Sequence, residues 1–154
     1  MNTSIQLVVF TLDNQRFALP LSTVERAIRI MEIVHLPTAP EIVMGVINLH
    51  GKIIPVVNIR NRFRLPQREI NLNDQLIISN TKKRPLAILI DSVLGVFEFP
   101  EKRIVSADKI LPDIEYIEGV AKLEEGIILI HDIDKFLSLE EEKAIDEAIK
   151  KENI

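Results

Sequence analysis

The run His131-Asp132-Ile133-Asp134 sets an imidazole beside one carboxylate, with a second carboxylate two residues on. Donors of these types can hold a divalent ion and hydrolyse a substrate through it. The remaining histidines, His35 and His50, have no partner at a ligand spacing such as H-x3-H and read as single surface residues. Arg60, Arg62 and Arg64 alternate to form a basic cluster, which is either a solvated helical face or a contact for an acidic partner. Nucleophilic chemistry has less to stand on. The chain contains no cysteine, no G-x-S-x-G and no glycine-rich phosphate loop.

An internal repeat decides how to read the histidine. Residues 6–24, QLVVFTLDNQRFALPLSTV, lie without a gap over 75–93, QLIISNTKKRPLAILIDSV, with four identities and mostly aliphatic exchanges elsewhere. Residues 41–60, EIVMGVINLHGKIIPVVNIR, lie over 115–134, EYIEGVAKLEEGIILIHDID, with seven identities in twenty positions. Ordinary residue usage gives about one or two. In this register His131 answers to Val57, and Asp132 to Asn58. Asn or Asp closing a strand is what a following helical turn needs as its N-cap, so HDID reads as structure before it reads as a metal site. No metal, no cofactor and no catalysis are expected.

The elements that would position these residues are mainly β. Short runs rich in Val, Ile and Phe are broken by the turn clusters LDNQ, HGK, NTKKRP and LEEG. Leu7, Val9 and Thr11 alternate with Val8, Phe10 and Leu12, so both faces are largely apolar and the strand must be covered on both sides. LSTV and DSVL read as single helical turns, and Pro40 in APEIVM suits a first helical turn. Ser138 with Glu141 forms an S-x-x-E capping box. It opens a helix over 138–152 whose Ala144, Ile145, Ala148 and Ile149 make a stripe for docking.

A repeat of about 70 residues matches a duplicated small barrel. The two alignment offsets differ by five, which places five extra residues within FEFPEKRIVSADKILPDI of the second copy. The expected fold is two intimately packed five-stranded barrels, repeat halves about 5–65 and 74–137, in one domain spanning 1–154. One such barrel alone is marginally stable, and the chain carries more apolar residues than either could enclose. A third core at their junction is therefore expected.

At 154 residues the chain suits one domain, and 47% apolar content is globular. No run approaches the roughly 18 apolar residues of a membrane span, and MNTSIQLVVF carries no export signal. The expected location is cytoplasmic, with no membrane insertion. A net charge of −4, no Trp and the single Tyr116 disfavour nucleic acid as a ligand.

The segments FALPLSTVERAIRI, LPTAPEIVMGVINLHGKIIPVVNIRNRF, LAILIDSVLGVFEF and IEGVAKLEEGIILIHDIDKF resemble the CheW family of chemotaxis coupling proteins, from about Ile5 to Leu137. The most specific part is the family's G-V-x-N-L-R-G followed by I-I-P-V-x-D-L-R, at Gly45–Gly51 and Ile53–Arg60. The resemblance implies interleaved barrels and a non-catalytic adaptor. Its implied partners are the regulatory domain of a CheA-type histidine kinase and the cytoplasmic tip of methyl-accepting chemoreceptors, met in membrane-associated arrays. By position it implies a receptor groove at Val24, Arg26, His50 and Leu76, and a kinase-facing side at Ile33, Met44 and Gly45. His50 departs from the family's arginine, exchanging a permanent charge and a five-donor fork for an imidazole. Asn58 departs from its aspartate, which a cap tolerates. The runner-up expectation is a barrel pair that binds small molecules or single-stranded nucleic acid. A third is a hydrolase built on His131 and Asp132.

Overall fold

The computed structural model describes residues 3–106, 109 and 116–152. In chain order the strands are β1 (Ser4–Leu12), β2 (Gln15–Pro20), β3 (Val24–Arg29), β4 (Val43–Leu49), β5 (Lys52–Val57), β6 (Gln75–Asn80), β7 (Pro85–Ile90), β8 (Ser92–Pro100), β9 (Ile104–Ser106), β10 (Ile117–Leu123) and β11 (Gly126–His131). The helices α1 (Arg60–Phe63) and α2 (Leu139–Lys151) are described with them, together with 3-10 turns at Leu21–Thr23, Glu101–Arg103 and Ile133–Lys135. LSTV is thus a helical turn as expected. DSVL is not, because β8 starts at Ser92. The segment around Pro40 makes only a turn, closed by the Val43 N–H on the Pro40 carbonyl at 2.9 Å. Part of the stretch holding the five extra residues lies outside the described residues.

The strands form a six-stranded sheet in the order β8-β1-β2-β11-β10-β9 and a five-stranded sheet in the order β3-β6-β7-β5-β4. The mainly β class is as expected, but the two sheets curl without closing into five-stranded barrels. In the five-stranded sheet Val34, just past β3, takes the outer edge of β4 through a single bridge to Val46. Pro37 and Pro40 follow within six residues and lack the N–H groups that would extend that bridge into a ladder.

The two copies of the repeat exchange strands. β1 and β2 belong to the first copy yet sit in the sheet of β8 to β11. β6 and β7 belong to the second yet sit between β3 and β5. The exchange is sealed by two short parallel ladders, with Ala18 opposite Ile130 and Ala87 opposite Val56. These pairs are equivalent under the repeat register, since Ala18 aligns with Ala87 and Val56 with Ile130. Each sheet therefore contains strands of both copies.

Four apolar clusters follow, the smallest of them, around Leu36, Val46 and Ala148, under α2. One fills the six-stranded sheet, around Leu7, Val9 and Ile128, and one fills the five-stranded sheet, around Ile47, Leu76 and Ile78. A larger one lies between them and takes the opposite face of the same strands, including Val8, Phe10, Leu12, Ile77 and Ile88. This is the junction core, and it explains why β1 is apolar on both faces. At about 25 cal/mol per Å² of apolar surface removed from water, burying each such side chain stabilises the pairing by about 1.5 to 3 kcal/mol.

The glycines of the repeated E-x-x-x-G-V motif share one cause. At each the β-ladder shifts register, between Val43 and Gly45 and between Ile117 and Gly119. A Cβ on Gly45 would stand 2.3 Å from the Val34 carbonyl oxygen, and one on Gly119 would stand 3.0 Å from that of Val105.

Candidate protein-docking site

His131 is sealed in the junction core. Its ring lies 4.9 to 6.2 Å, centroid to centroid, from those of Phe10, Phe17, Phe63 and Phe136, and neither ring nitrogen has a hydrogen-bond partner. Burial pushes its pKa down to about 3, so the ring is neutral and takes the apolar role that Val57 fills in the other copy. Asp132 instead accepts the Asp134 N–H at 3.1 Å and caps the 3-10 turn that follows. Asn58 does the same for the Arg60 N–H at 3.0 Å. HDID is therefore one core residue and a cap, and the hydrolase reading loses its ligand pair.

The basic cluster is not a solvated face. Arg60 is buried, its guanidinium donating to Asp13 at 2.8 Å, to Asp91 at 2.9 Å and to the Pro66 carbonyl at 2.9 Å. Arg68 also pairs with Asp91, and with Asp74 at 2.7 Å. Burial alone would push the Asp91 pKa up, but the Asp13 N–H and the two guanidinium groups together hold it below the ordinary carboxylate range. Arg62 reaches the Phe136 carbonyl at 3.2 Å and Glu141 of α2. Only Arg64 is exposed, in a left-handed conformation that ends α1. An arginine in a fork of carboxylates ties β-turns of both copies together, and alternation in sequence gave no sign of it.

Helix α2 carries the expected capping box at Ser138 and Glu141 and docks through Ile145 and Ala148. Its acidic residues are less solvated than the composition suggested. Glu142 is buried and accepts from Arg84 at 3.0 Å, and Asp146 pairs with the same guanidinium.

Of the expected groove residues, Val24 starts β3 half-buried against the junction core, and Arg26 is exposed beside it. Leu76 is a correction to any picture of direct contact: it is fully buried, facing the interior of the five-stranded sheet. Its parity on β6 turns it inward and leaves Ile77 to the junction. His50 sits exposed at the tip of the β4–β5 hairpin, where it and Gly51 have φ of 53° and 86°. That left-handed pair suits a two-residue hairpin, and His is among the residues that accept it. β3 and β4 are opposite edges of the sheet order, so Arg26 and His50 are not ladder neighbours. Ile33, Met44 and Gly45 do come together. The Ile33 side chain abuts the space a Gly45 Cβ would fill, and Ile33 and Met44 are half-buried on one cluster.

The residues that sequence reasoning missed are on β8. It is an edge strand whose Leu94, Val96 and Phe97 are each about half exposed. The equivalent strand β3 reads VERAIR, with charges that protect an edge, while β8 reads VLGVFE. Comparing the copies position by position would have found it, because Glu25 aligns with Leu94 and Ala27 with Val96. Natural proteins rarely leave such an edge without a use.

The sequence pattern of the CheW-like domain matches residues 6–141. The chain belongs to the CheW-like domain family. It is similar to the chemotaxis protein CheW of Treponema pallidum, with 28% identity over 142 residues that cover 88% of this chain and 84% of that one. It also resembles the chemotaxis protein CheA of Borreliella burgdorferi, at 28% identity over 139 residues. These are 90% of this chain but 16% of that much longer one. The crystal structure of the scaffolding protein TtCheW from Thermoanaerobacter tengcongensis superposes with a TM-score of 0.82 at 26% identity, covering 90% of this chain and 96% of that one. No helix among the described residues is long and apolar enough to cross a membrane.

Proposed function

We propose that this CheW-like chain is a non-catalytic adaptor that couples chemoreceptors to a CheA-type histidine kinase. The observation that carries the reading is the fold shared with a scaffolding CheW over nearly the full length of both chains. The CheA similarity supports the kinase as a partner, since a CheW-like segment inside a kinase is a surface that another CheW-like unit can resemble and meet. The receptor's cytoplasmic tip, an α-helical hairpin, lays its apolar stripe along the exposed edge of β8. Val24 and Arg26 on β3, and His50 at the β4–β5 tip, contribute to receptor coupling from the two edges of the five-stranded sheet, and Leu76 supports that sheet from its core. Ile33, Met44 and Gly45, with the half-exposed Val34, face the kinase regulatory domain. The adaptor works from the cytoplasm and is held at membrane-associated arrays by these contacts, each individually weak and cooperating through multivalency.

Nothing in the site favours the barrel pair that would bind small molecules or single-stranded nucleic acid: the exposed strip is aliphatic and the overall charge is negative. The test is a pull-down with purified kinase regulatory domain and, separately, with a receptor signalling tip. Retention of both supports the adaptor; absence of both at high micromolar concentration sinks it.

A further inference from the structure

The repeat shows what covers one end of the junction-facing side of a sheet and, among the described residues, leaves its twin without that cover. On the five-stranded sheet, α2 packs Ile149 and Ala148 over Ile53, Val46 and Leu36, and its Glu142 and Asp146 grip Arg84. Under the repeat register Ile53 corresponds to Ile127 and Arg84 to Gln15. On the six-stranded sheet Ile127 is 56% exposed and, among the described residues, no helix lies over it. A groove of about 280 Å³ opens there, lined by the β1–β2 turn at Asn14, Gln15 and Arg16 and by Glu125, Ile127 and Leu129 of the β10–β11 hairpin.

We propose that this groove takes an amphipathic α-helix from another protein, one that presents carboxylates beside an apolar stripe as α2 does. The occupant follows from the twin face. There the sheet is covered by a helix with small and branched apolar residues three and four apart, and the charge contact is an arginine of the β-hairpin turn on helix carboxylates. Arg16, next in sequence to the equivalent of Arg84, supplies the matching cation. The chain's own α2 is engaged elsewhere by Arg62 and Arg84, so among the described residues no helix is free for this groove and the occupant proposed is a partner's. The surface is separate from the β8 edge and from the Ile33–Met44 side, and the inference does not depend on the adaptor reading.

The experiment is a methyl and amide NMR titration of the full chain with a stapled helical peptide of residues 138–152, which has the chemistry the groove should read. Shifts are expected at Ile127, Leu129, Gln15 and Arg16, with affinity at least tenfold weaker in Ile127→Asp and in Arg16→Glu. Both residues lie at the surface, so folding is checked by the unchanged spectrum elsewhere. Shifts confined to Ile53, Val46 and Arg84 would show the peptide displacing the resident helix, and would overturn the proposal. So would the absence of shifts at millimolar peptide, or binding that both variants retain.

Discussion

The Lys82 backbone N–H donates to the Asp134 carboxylate at 2.8 Å, and at the equivalent positions of the repeat the Asp13 carboxylate pairs with the Arg60 guanidinium at 2.8 Å. Asp13 aligns with Lys82, and Arg60 with Asp134. In each case the first hairpin turn of a copy is pinned to the segment that follows the last strand of the same copy, which lies in the other sheet. Around Arg60 the contact has grown into a network with Asp91, Arg68 and Asp74; around Asp134 it remains a single hydrogen bond.

The two latches should therefore differ in strength. Arg60→Ala removes the buried cation from two partly exposed carboxylates, of which Asp91 keeps Arg68, and should cost about 1.5 to 3 kcal/mol, the range for hydrogen bonds to charged groups. Asp134→Ala gives up one exposed hydrogen bond and should cost about 1 kcal/mol. Urea denaturation of both variants measures the difference. Equal losses would mean that Arg60 is solvated in solution.

His131 sets a pH signature. Its folded pKa, near 3 through burial, lies below the ordinary 6.5, so the unfolded chain binds the proton first as pH falls. Stability from this group is complete above about pH 6.5 and is lost progressively toward pH 3, by roughly 2 kcal/mol between pH 7 and pH 5. Asp91 acts in the same direction but lower: its depressed folded pKa gives stability above its ordinary value of 3.8, lost as pH falls further. His131→Val, which restores the residue of the other copy, should flatten the loss between pH 7 and pH 5 and leave the Asp91 region unchanged. Denaturation midpoints at pH 7, 5 and 4 provide the check, and a variant with the wild-type slope would place the imidazole in contact with water.

Gly45 and Gly119 offer a graded steric test. A methyl group at Gly45 meets the Val34 carbonyl at 2.3 Å, which only a backbone shift can relieve, while at Gly119 the corresponding oxygen is 3.0 Å away. Gly45→Ala should cost about 2 to 3 kcal/mol and Gly119→Ala about 1, within the range for overpacking. The Gly45 variant should also weaken kinase-domain binding by displacing Ile33 and Val34. A calorimetric melt and a binding titration separate the two effects; a Gly45→Ala protein as stable as wild type would place the bulge elsewhere.

What could be read from residues alone follows the range of the interactions involved. The Ser138–Glu141 capping box, the caps at Asn58 and Asp132 and the double-faced pattern of β1 are local, and all stand in the structure. The duplication was legible as well, and with it the third core. Which copy lends its strands to which sheet was not, because β2 can meet either β5 or β11 with the same aliphatic residues. Arg60 looked solvated since its partners lie 31 and 47 positions away. Leu76 matched a family position, yet a one-residue parity decides whether it faces a partner or a core.

The β8 edge should bind receptor without supporting the fold. Leu94, Val96 and Phe97 are about half exposed, so Val96→Glu should change stability by less than about 1 kcal/mol, as surface substitutions do. A carboxylate set in an apolar interface should nevertheless weaken binding of the receptor tip at least tenfold, since burying it unpaired costs more than 1.4 kcal/mol. Kinase-domain binding through Ile33 and Met44 should be unaffected. Titrating both partners against the same variant is the measurement, and equal losses would indicate one shared surface.

His50→Arg completes the set, because it restores the residue that the family motif carries at the hairpin tip. The backbone there is left-handed at φ 53°, which arginine tolerates less well than histidine, so a loss of up to about 1 kcal/mol in stability is expected. The new guanidinium brings a permanent charge and five donors to an exposed tip, where the Asn48 side chain already holds the turn by accepting the Gly51 N–H at 2.8 Å. Receptor coupling should therefore be kept or strengthened, read as kinase output in a reconstituted receptor array. If coupling collapses while the fold and kinase binding persist, the surface around His50 is fitted to a receptor tip that excludes the larger cation.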